Sequence, residues 1–305
     1  MTNITVLLLK QIVIMFVLIM VGYILYKKGM ITNQGSKDMG NVLLYIVLPV
    51  VIINNFCIER SAENVADLLH ALLLTVICSV IAIAVAYAVF GQRDGVANLS
   101  CVISNAGFIG IPLVSAALGG RAVFHIALMI VAVNLLLWTY GVFVMTGDTR
   151  YVKPQKIFGN PTVIAVAIGL VIFVLNLPVP ALVRSIFSSV SAVNTPLAMF
   201  ILGIYLAQTD LGKLFAKPVN YKVTILRLAV IPVLSMLALK LIPLGSPELK
   251  MAILLAAACP VGSAVPIFAM AYDRDYKEAV ELVCLSTIIC LVTLPLIVTV
   301  AGMFL

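Results

Sequence analysis

The chain has 305 residues, of which 63% are hydrophobic and 10% charged, and its formal net charge is +7. About a quarter of the residues of a soluble domain are charged, so this composition excludes a soluble globular protein and predicts an integral membrane protein. The loops between the apolar runs are short and leave no room for a soluble catalytic domain. We therefore expect neither an enzyme nor a nucleic-acid-binding protein.

The apolar runs approach the length of about 20 residues that crosses a bilayer core, and they predict an all-α protein with ten transmembrane helices. Lys27 and Lys28 follow the first run, which has no basic leader or cleavage site, so we expect it to be retained rather than removed as a signal peptide. The six cysteines have no CxxC spacing, and no metal site is predicted. The approximate spans are 5–26, 37–56, 67–90, 96–119, 122–145, 160–177, 182–207, 221–243, 249–271 and 277–303.

The basic residues predict how the chain is oriented in the membrane. If the N-terminus lies outside, 13 of the 19 lysines and arginines fall in inside loops, Arg227 among them. Lysine and arginine are enriched in cytoplasmic loops, so this distribution predicts a multi-pass protein of the cell membrane with both termini outside.

The spans also predict an internal repeat. Five spans lie on each side of a basic linker, and an odd number per half forces the halves into opposite orientations, as in an inverted repeat. Pro49 and Pro196 lie in equivalent spans 147 residues apart, and Pro112 and Pro266 lie 154 residues apart. The predicted units are a first repeat at 1–146, a cytoplasmic linker at 147–159 and a second, inverted repeat at 160–305.

Spans four and nine carry glycine and proline near their midpoints, at 104–112 and 259–266. Proline removes a backbone donor and usually kinks or breaks a helix, and glycine suits a helix end. We therefore predict that each span is two half-helices, the second restarting near Pro112 or Pro266, and that the two broken spans cross at the midplane. The alternative is that these are ordinary proline kinks that serve helix packing.

Such breaks predict an anion site. Free amides at the start of a half-helix, aided by its dipole, favour carboxylate or phosphate. Side chains of asparagine and serine would add neutral hydrogen-bonding groups. The candidate substrate-binding residues are Ser104, Asn105, Gly107, Gly110, Pro112, Leu113, Val114, Pro260, Gly262, Ser263, Pro266 and Ile267.

Coupling to an ion is a separate question, since we expect no acidic or basic residue near the centre of any span, where it would mark a relay. Asp67 and His70 lie nearer a span end, three residues apart on one helix face. They are candidates for proton coupling, with Asn134 as a further candidate. The alternative is that they are interface residues without such a role, and no cofactor is predicted.

Taken together, the ten spans and the run at 105–113 resemble the auxin efflux carrier family of bacterial permeases, as do the runs at 266–269, 22–23 and 48–49. That family is similar in fold to bile acid/sodium symporters. The resemblance implies two crossing broken helices, alternating access, and small organic anions such as malate, malonate or auxin-like acids as substrates. Similar folds also form homodimers.

Three hypotheses for the function remain open. The first is a secondary transporter that binds a small organic anion where the broken helices cross. In the second, a sodium-coupled symporter of the bile acid type, backbone carbonyls at half-helix C-termini would hold the ion. In the third, a membrane receptor or assembly protein that does not transport, the breaks would serve packing only.

Overall fold

The computed structural model describes residues 2–305 and, of these, the side chains of all but 2–5, 211 and 213. Regular structure throughout this part of the chain is helical, with one isolated β-bridge and no strand. The predicted all-α class is confirmed. The helices are, in chain order, α1 (Thr2–Lys27), α2 (Asn33–Phe56), α3 (Ala62–Phe90), α4 (Gly95–Val102), α5 (Ala106–Leu118), α6 (Gly120–Thr146), α7 (Pro154–Phe158), α8 (Pro161–Val174), α9 (Ala181–Gln208), α10 (Leu211–Ala216), α11 (Pro218–Leu241), α12 (Pro247–Ala257), α13 (Val265–Ala271) and α14 (Tyr276–Phe304).

Helix length and composition suit a bilayer. Among the described residues, seven helices are long and apolar enough to cross a membrane, namely α1, α2, α3, α6, α9, α11 and α14. The remaining predicted spans, 96–119, 160–177 and 249–271, contain shorter helices. Large apolar side chains such as Val13 and Leu182 lie on the outer surface, where lipid would cover them. The chain is therefore a multi-pass membrane protein.

Three prolines share one local arrangement that lets a helix continue through them. Pro49, Pro112 and Pro232 each follow, by two residues, a wide π turn (Leu43–Val47, Ala106–Gly110 and Leu226–Val230). A proline ring clashes with the carbonyl four residues earlier, and a π turn inserts one extra residue into the hydrogen-bond ladder. Widening the helix just before the proline lets the helix continue through it.

Glycine allows a close helix contact between α1 and α9. A Cβ atom at Gly203 would collide with the backbone oxygen of Ile19, and one at Gly22 would collide with the backbone of Phe200. Small residues let membrane helices pack backbone to backbone, where dispersion forces hold them together. This contact joins the N-terminal helix to the second half of the chain.

The short helices α4 and α12 lie at the centre of the protein. Every residue from Val96 to Val102 and from Met251 to Ala257 is buried. Side chains cap the start of both helices, because Asp94 accepts a hydrogen bond from the amide of Ala97, and Ser246 accepts one from that of Leu249. Helices α3, α11 and α14 pack around them. Whatever follows α4 and α12 is therefore held in the interior.

Candidate functional site

Two stretches of non-helical backbone meet in the interior. Residues 103–105 separate α4 from α5, and residues 258–264 separate α12 from α13. The amide of Asn105 donates to the carbonyl of Pro260 at 2.9 Å, and the amide of Gly262 donates to the carbonyl of Ile103 at 2.8 Å. We call these stretches the paired segments, because the two bonds flank an antiparallel bridge between Ser104 and Val261. Part of the backbone that the interruptions free is thus satisfied across the pair.

The close approach of the paired segments depends on glycine. A Cβ atom at Gly262 would lie 2.6 Å from Cγ2 of Ile103 and 3.3 Å from the Ile103 carbonyl oxygen. On the same segment, the amide of Val261 donates to Oγ of Ser286 on α14 at 3.1 Å. The second segment is therefore fixed between the first segment and α14.

Helix α5 begins earlier than the sequence predicted. It starts at Ala106 rather than near Pro112, since the π turn at Ala106–Gly110 accommodates the proline. The expectation that Leu113 and Val114 offer free amides at a helix start is therefore wrong: both lie inside α5 and are fully buried. The first amides of α5 belong instead to residues 106–108. By contrast Pro266 lies in the first turn of α13.

A cavity of about 70 Å³ adjoins the paired segments. It lies between α2, α6 and α9 on one side and the starts of α5 and α13 on the other. Seven of the candidate residues line it, namely Ser104, Asn105, Gly107, Asn134, Gly262, Ser263 and Ile267. The others do not, namely Gly110, Pro112, Leu113, Val114, Pro260, Pro266, Asp67 and His70.

The cavity wall is polar near the paired segments and carries no formal charge on the described residues that line it. Ser104 Oγ and Asn105 Nδ2 are buried and have no hydrogen-bond partner, with 5% and 4% of each residue exposed. Asn134, across the cavity, donates from Nδ2 to the carbonyl of Ile130 at 2.8 Å. Buried polar groups are nearly always hydrogen-bonded, so Ser104 and Asn105 are suited to a ligand or water that reaches them from the cavity.

A buried arginine lies behind the paired segments, and it contradicts two sequence-based expectations. Arg227, on α11, is 1% exposed, so it is neither in an inside loop nor at a span end. Its Nη1 donates to the carbonyl of Cys101 at 2.8 Å and its Nε to that of Cys259 at 2.9 Å, while Nη2 donates to that of Ala257. A single arginine inside an otherwise apolar run was the signal for this site in the sequence.

Two of these carbonyls, those of Cys101 and Ala257, belong to the ends of α4 and α12, and that of Cys259 belongs to the segment that follows α12. The last carbonyls of a helix have no partner within it and carry the negative end of its dipole. One guanidinium with five donors can reach several of them at once. Arg227 therefore caps two helix ends together and does not pair with a carboxylate on any described residue.

Asp67 has a different neighbour from the one expected. Its Oδ2 lies 3.2 Å from Nε2 of His125 on α6, while Nδ1 of His125 is buried without a partner. His70 instead packs beside Gly245. Because His125 is 58 residues from Asp67, helix-face reasoning on α3 alone could not find it.

The chain is similar in sequence to known membrane transport proteins. A family model described as a membrane transport protein matches residues 7–160 and 150–298. The chain is 25% identical over 303 residues to an uncharacterized transporter of Methanocaldococcus jannaschii, covering 93% of this chain and 96% of the relative. It is 23% identical over 294 residues to an uncharacterized transporter of Methanothermobacter thermautotrophicus, covering 92% and 94%. Since the family match covers nearly the whole sequence, the chain belongs to the auxin efflux carrier-like family of membrane transport proteins.

Proposed function

We propose that this transporter carries small organic anions, such as malate, malonate or auxin-like acids, by alternating access. The observation that supports this most is the pair of unpartnered groups, Ser104 Oγ and Asn105 Nδ2, beside a cavity at the start of α5. A carboxylate accepts hydrogen bonds from hydroxyl and amide donors of this kind.

The charges around the cavity also favour an anion. The first amides of α5 have no acceptor within the helix, and the start of a helix carries a partial positive charge. No acidic side chain is among the described residues of the cavity wall. A carboxylate there would meet hydrogen-bond donors and a favourable dipole.

The paired segments further support an architecture for transport. We propose that α4 with α5, and α12 with α13, each form one broken span of a ten-span protein, and that these spans cross within the membrane. Residues 1–146 and 160–305 would be inverted five-span repeats joined by the linker 147–159. Discontinuous helices at a repeat interface are where secondary transporters bind substrates. The protein would lie in the cell membrane with both termini outside, alone or as a homodimer.

Binding of substrate to Asn105 is the first test. We expect malate, malonate or indole-3-acetate to raise the thermal midpoint of the purified protein, and one of them to exchange across proteoliposomes. In Asn105→Ala we expect affinity to fall roughly 5- to 10-fold, within the net contribution of one typical hydrogen bond.

Asn33→Ala is the matched control, because Asn33 is an exposed asparagine at the start of α2, away from the cavity. It should bind like the unmodified protein. Flux equal to that of empty vesicles for the whole carboxylate panel would contradict transport and favour a receptor. Unchanged affinity in a stable Asn105→Ala protein would remove Asn105 from the site.

Proton coupling is a second proposal, favoured by the contact between Asp67 and His125. Imidazole and carboxylate groups can pass a proton between them, which suits a coupling site. We expect His125→Gln to abolish stimulation of uptake by a pH gradient. His70→Gln is the control, because His70 lies on the same helix as Asp67, whose hydrogen-bond partner is His125. Equal stimulation in all three proteins would exclude this role.

A further inference from the structure

We infer that Arg227 is a built-in cation that occupies the position of a monovalent coupling ion, so that substrate binding at the paired segments needs no sodium. The effect on substrate binding rests on the proposed function, whereas the position of the cation rests on the geometry of Arg227 alone. Of the coupling schemes that the sequence leaves open, the inference excludes sodium coupling.

The guanidinium of Arg227 lies where backbone carbonyls of the interrupted helices converge. Interrupted membrane helices commonly hold sodium through unwound carbonyls and helix C-terminal ends. Here the carbonyls of Cys101 and Ala257 come from the ends of α4 and α12, and that of Cys259 comes from the unwound segment after α12. The head of Arg227 lies among these three carbonyls and donates a hydrogen bond to each. A cation that used these same oxygens would have to displace a fully buried side chain.

The charge of Arg227 balances the dipoles of the two helix ends. Each helix C-terminus carries about half of a negative elementary charge, so the ends of α4 and α12 together carry about −1. The single positive charge of Arg227 offsets this value. A second cation at the same place would leave the buried region with a net positive charge, which is costly in a medium of low dielectric constant.

The position of Arg227 also bears on which substrate the cavity favours. Ser104 lies on the wall of the cavity beside the paired segments and also on that of a smaller one that Arg227 lines. With these carbonyls neutralised, the buried side-chain atoms without partners at the paired segments are Ser104 Oγ and Asn105 Nδ2, and both can donate a hydrogen bond. Arg227 is thus a positioning residue that makes the site favour anions without touching the substrate.

Sodium dependence of the unmodified protein is the first experiment. The full-length protein is purified, and its thermal midpoint is measured in sodium chloride and in choline chloride of equal ionic strength, with and without malate or malonate. We expect the same midpoint and the same carboxylate affinity in both salts. A midpoint or an affinity that rises with sodium would overturn the inference.

Removal of the guanidinium is the second experiment. Arg227→Ala leaves the three carbonyls without donors, and we expect its midpoint to fall on the order of 5 °C or more. Methylguanidinium, at concentrations far below those that denature, should restore a substantial part of the loss. If the effect of Arg227→Ala came only from lost packing elsewhere, methylguanidinium would not restore the thermal midpoint.

Arg274→Ala is the matched control. Arg274 also donates to a backbone carbonyl, that of Met145, but the contact is only partly buried and involves a single acceptor. We expect no recovery of Arg274→Ala with methylguanidinium. Equal recovery of both variants, or none of Arg227→Ala, would contradict a specific site for the guanidinium.

Arg227→Lys keeps the test decisive if Arg227→Ala does not fold. An ammonium keeps the charge but loses the planar fork of donors, so its midpoint should lie below that of the unmodified protein, still without sodium dependence. Stabilisation of this variant by sodium would overturn the inference. If no carboxylate shifts the midpoint of the unmodified protein while methylguanidinium restores Arg227→Ala, the proposed substrate class fails and the role of Arg227 stands.

Discussion

The two kinds of helix end at the paired segments have different surroundings. The carbonyl ends of α4 and α12 are buried and bonded to Arg227, a side chain of the protein itself. The amide end of α5 instead faces a cavity beside Ser104 and Asn105, whose side chains have unpartnered atoms. An interrupted helix exposes groups of both signs, and this chain supplies a charged side chain as partner for the carbonyl ends only.

The difference separates stability from binding. An unsatisfied carbonyl in a dry interior costs several kcal/mol, so a permanent donor at the carbonyl ends stabilises the fold. Donors that face a cavity can be hydrated when no ligand is bound, so leaving them free costs less. We therefore expect substitutions on the carbonyl side and at the segments' contact to affect stability, and substitutions on the cavity side to affect binding.

The largest effect is expected where the two segments touch. Gly262→Ala would place a Cβ atom 2.6 Å from Ile103 Cγ2, and the segments would have to separate. We expect a loss of roughly 2 kcal/mol of stability, typical of overpacking, together with loss of carboxylate binding. The measurements are the thermal midpoint and the shift that malate produces.

Gly40→Ala is the control for this change, since Gly40 lines the same cavity but a Cβ atom there would meet nothing within 4 Å. It should keep or slightly raise the midpoint, because alanine favours the helix. Similar midpoints for both variants would show that the segments' contact is not what holds the interruptions together.

The fold class was predictable because apolar runs report burial in lipid directly. Non-helical backbone does lie at 103–105 and 258–264, near the glycine and proline runs, since these residues mark weak points in a helix. That each flanking pair of helices is one broken span stays a prediction. The detail of these interruptions was not predictable from proline alone. Pro112 lies inside α5 because the π turn before it removes the clash of the proline ring with the helix. A π turn likewise precedes Pro49 and Pro232.

The partners of single charged residues were the part that sequence reasoning missed. Arg227 bonds carbonyls 126, 30 and 32 residues away, and His125 lies 58 residues from Asp67. Local spacing describes neighbours on one helix, whereas these contacts depend on which helices pack together. That Ser104 and Asn105 bind substrate stays a prediction, although their places beside the cavity agree with it.

A negative charge on the cavity side should weaken carboxylate binding, whereas the carbonyl side should affect mainly stability. Asn105→Asp replaces a donor by an acceptor at the start of α5, and we expect carboxylate affinity to fall by about 10- to 100-fold, or about 1.4 to 2.8 kcal/mol. Asn33→Asp changes the net charge equally at an exposed position. If both variants lose affinity equally, the effect would come from overall charge and the donors at Asn105 would have no special part.

The smallest effect is expected from removing one hydroxyl, and it tests whether an unpartnered group matters only when it faces the cavity. Ser104 and Ser100 both have a buried Oγ without a partner, but only Ser104 lines the cavity. We expect Ser104→Ala to weaken carboxylate binding about 3- to 5-fold, near the net contribution of one hydrogen bond, with little change in stability. Ser100→Ala should leave affinity unchanged and stability equal or slightly higher, because it removes an unsatisfied polar atom from α4. Titration of both variants with malate would decide, and a larger loss of affinity in Ser100→Ala would mean that the ligand does not lie on the cavity side of the paired segments.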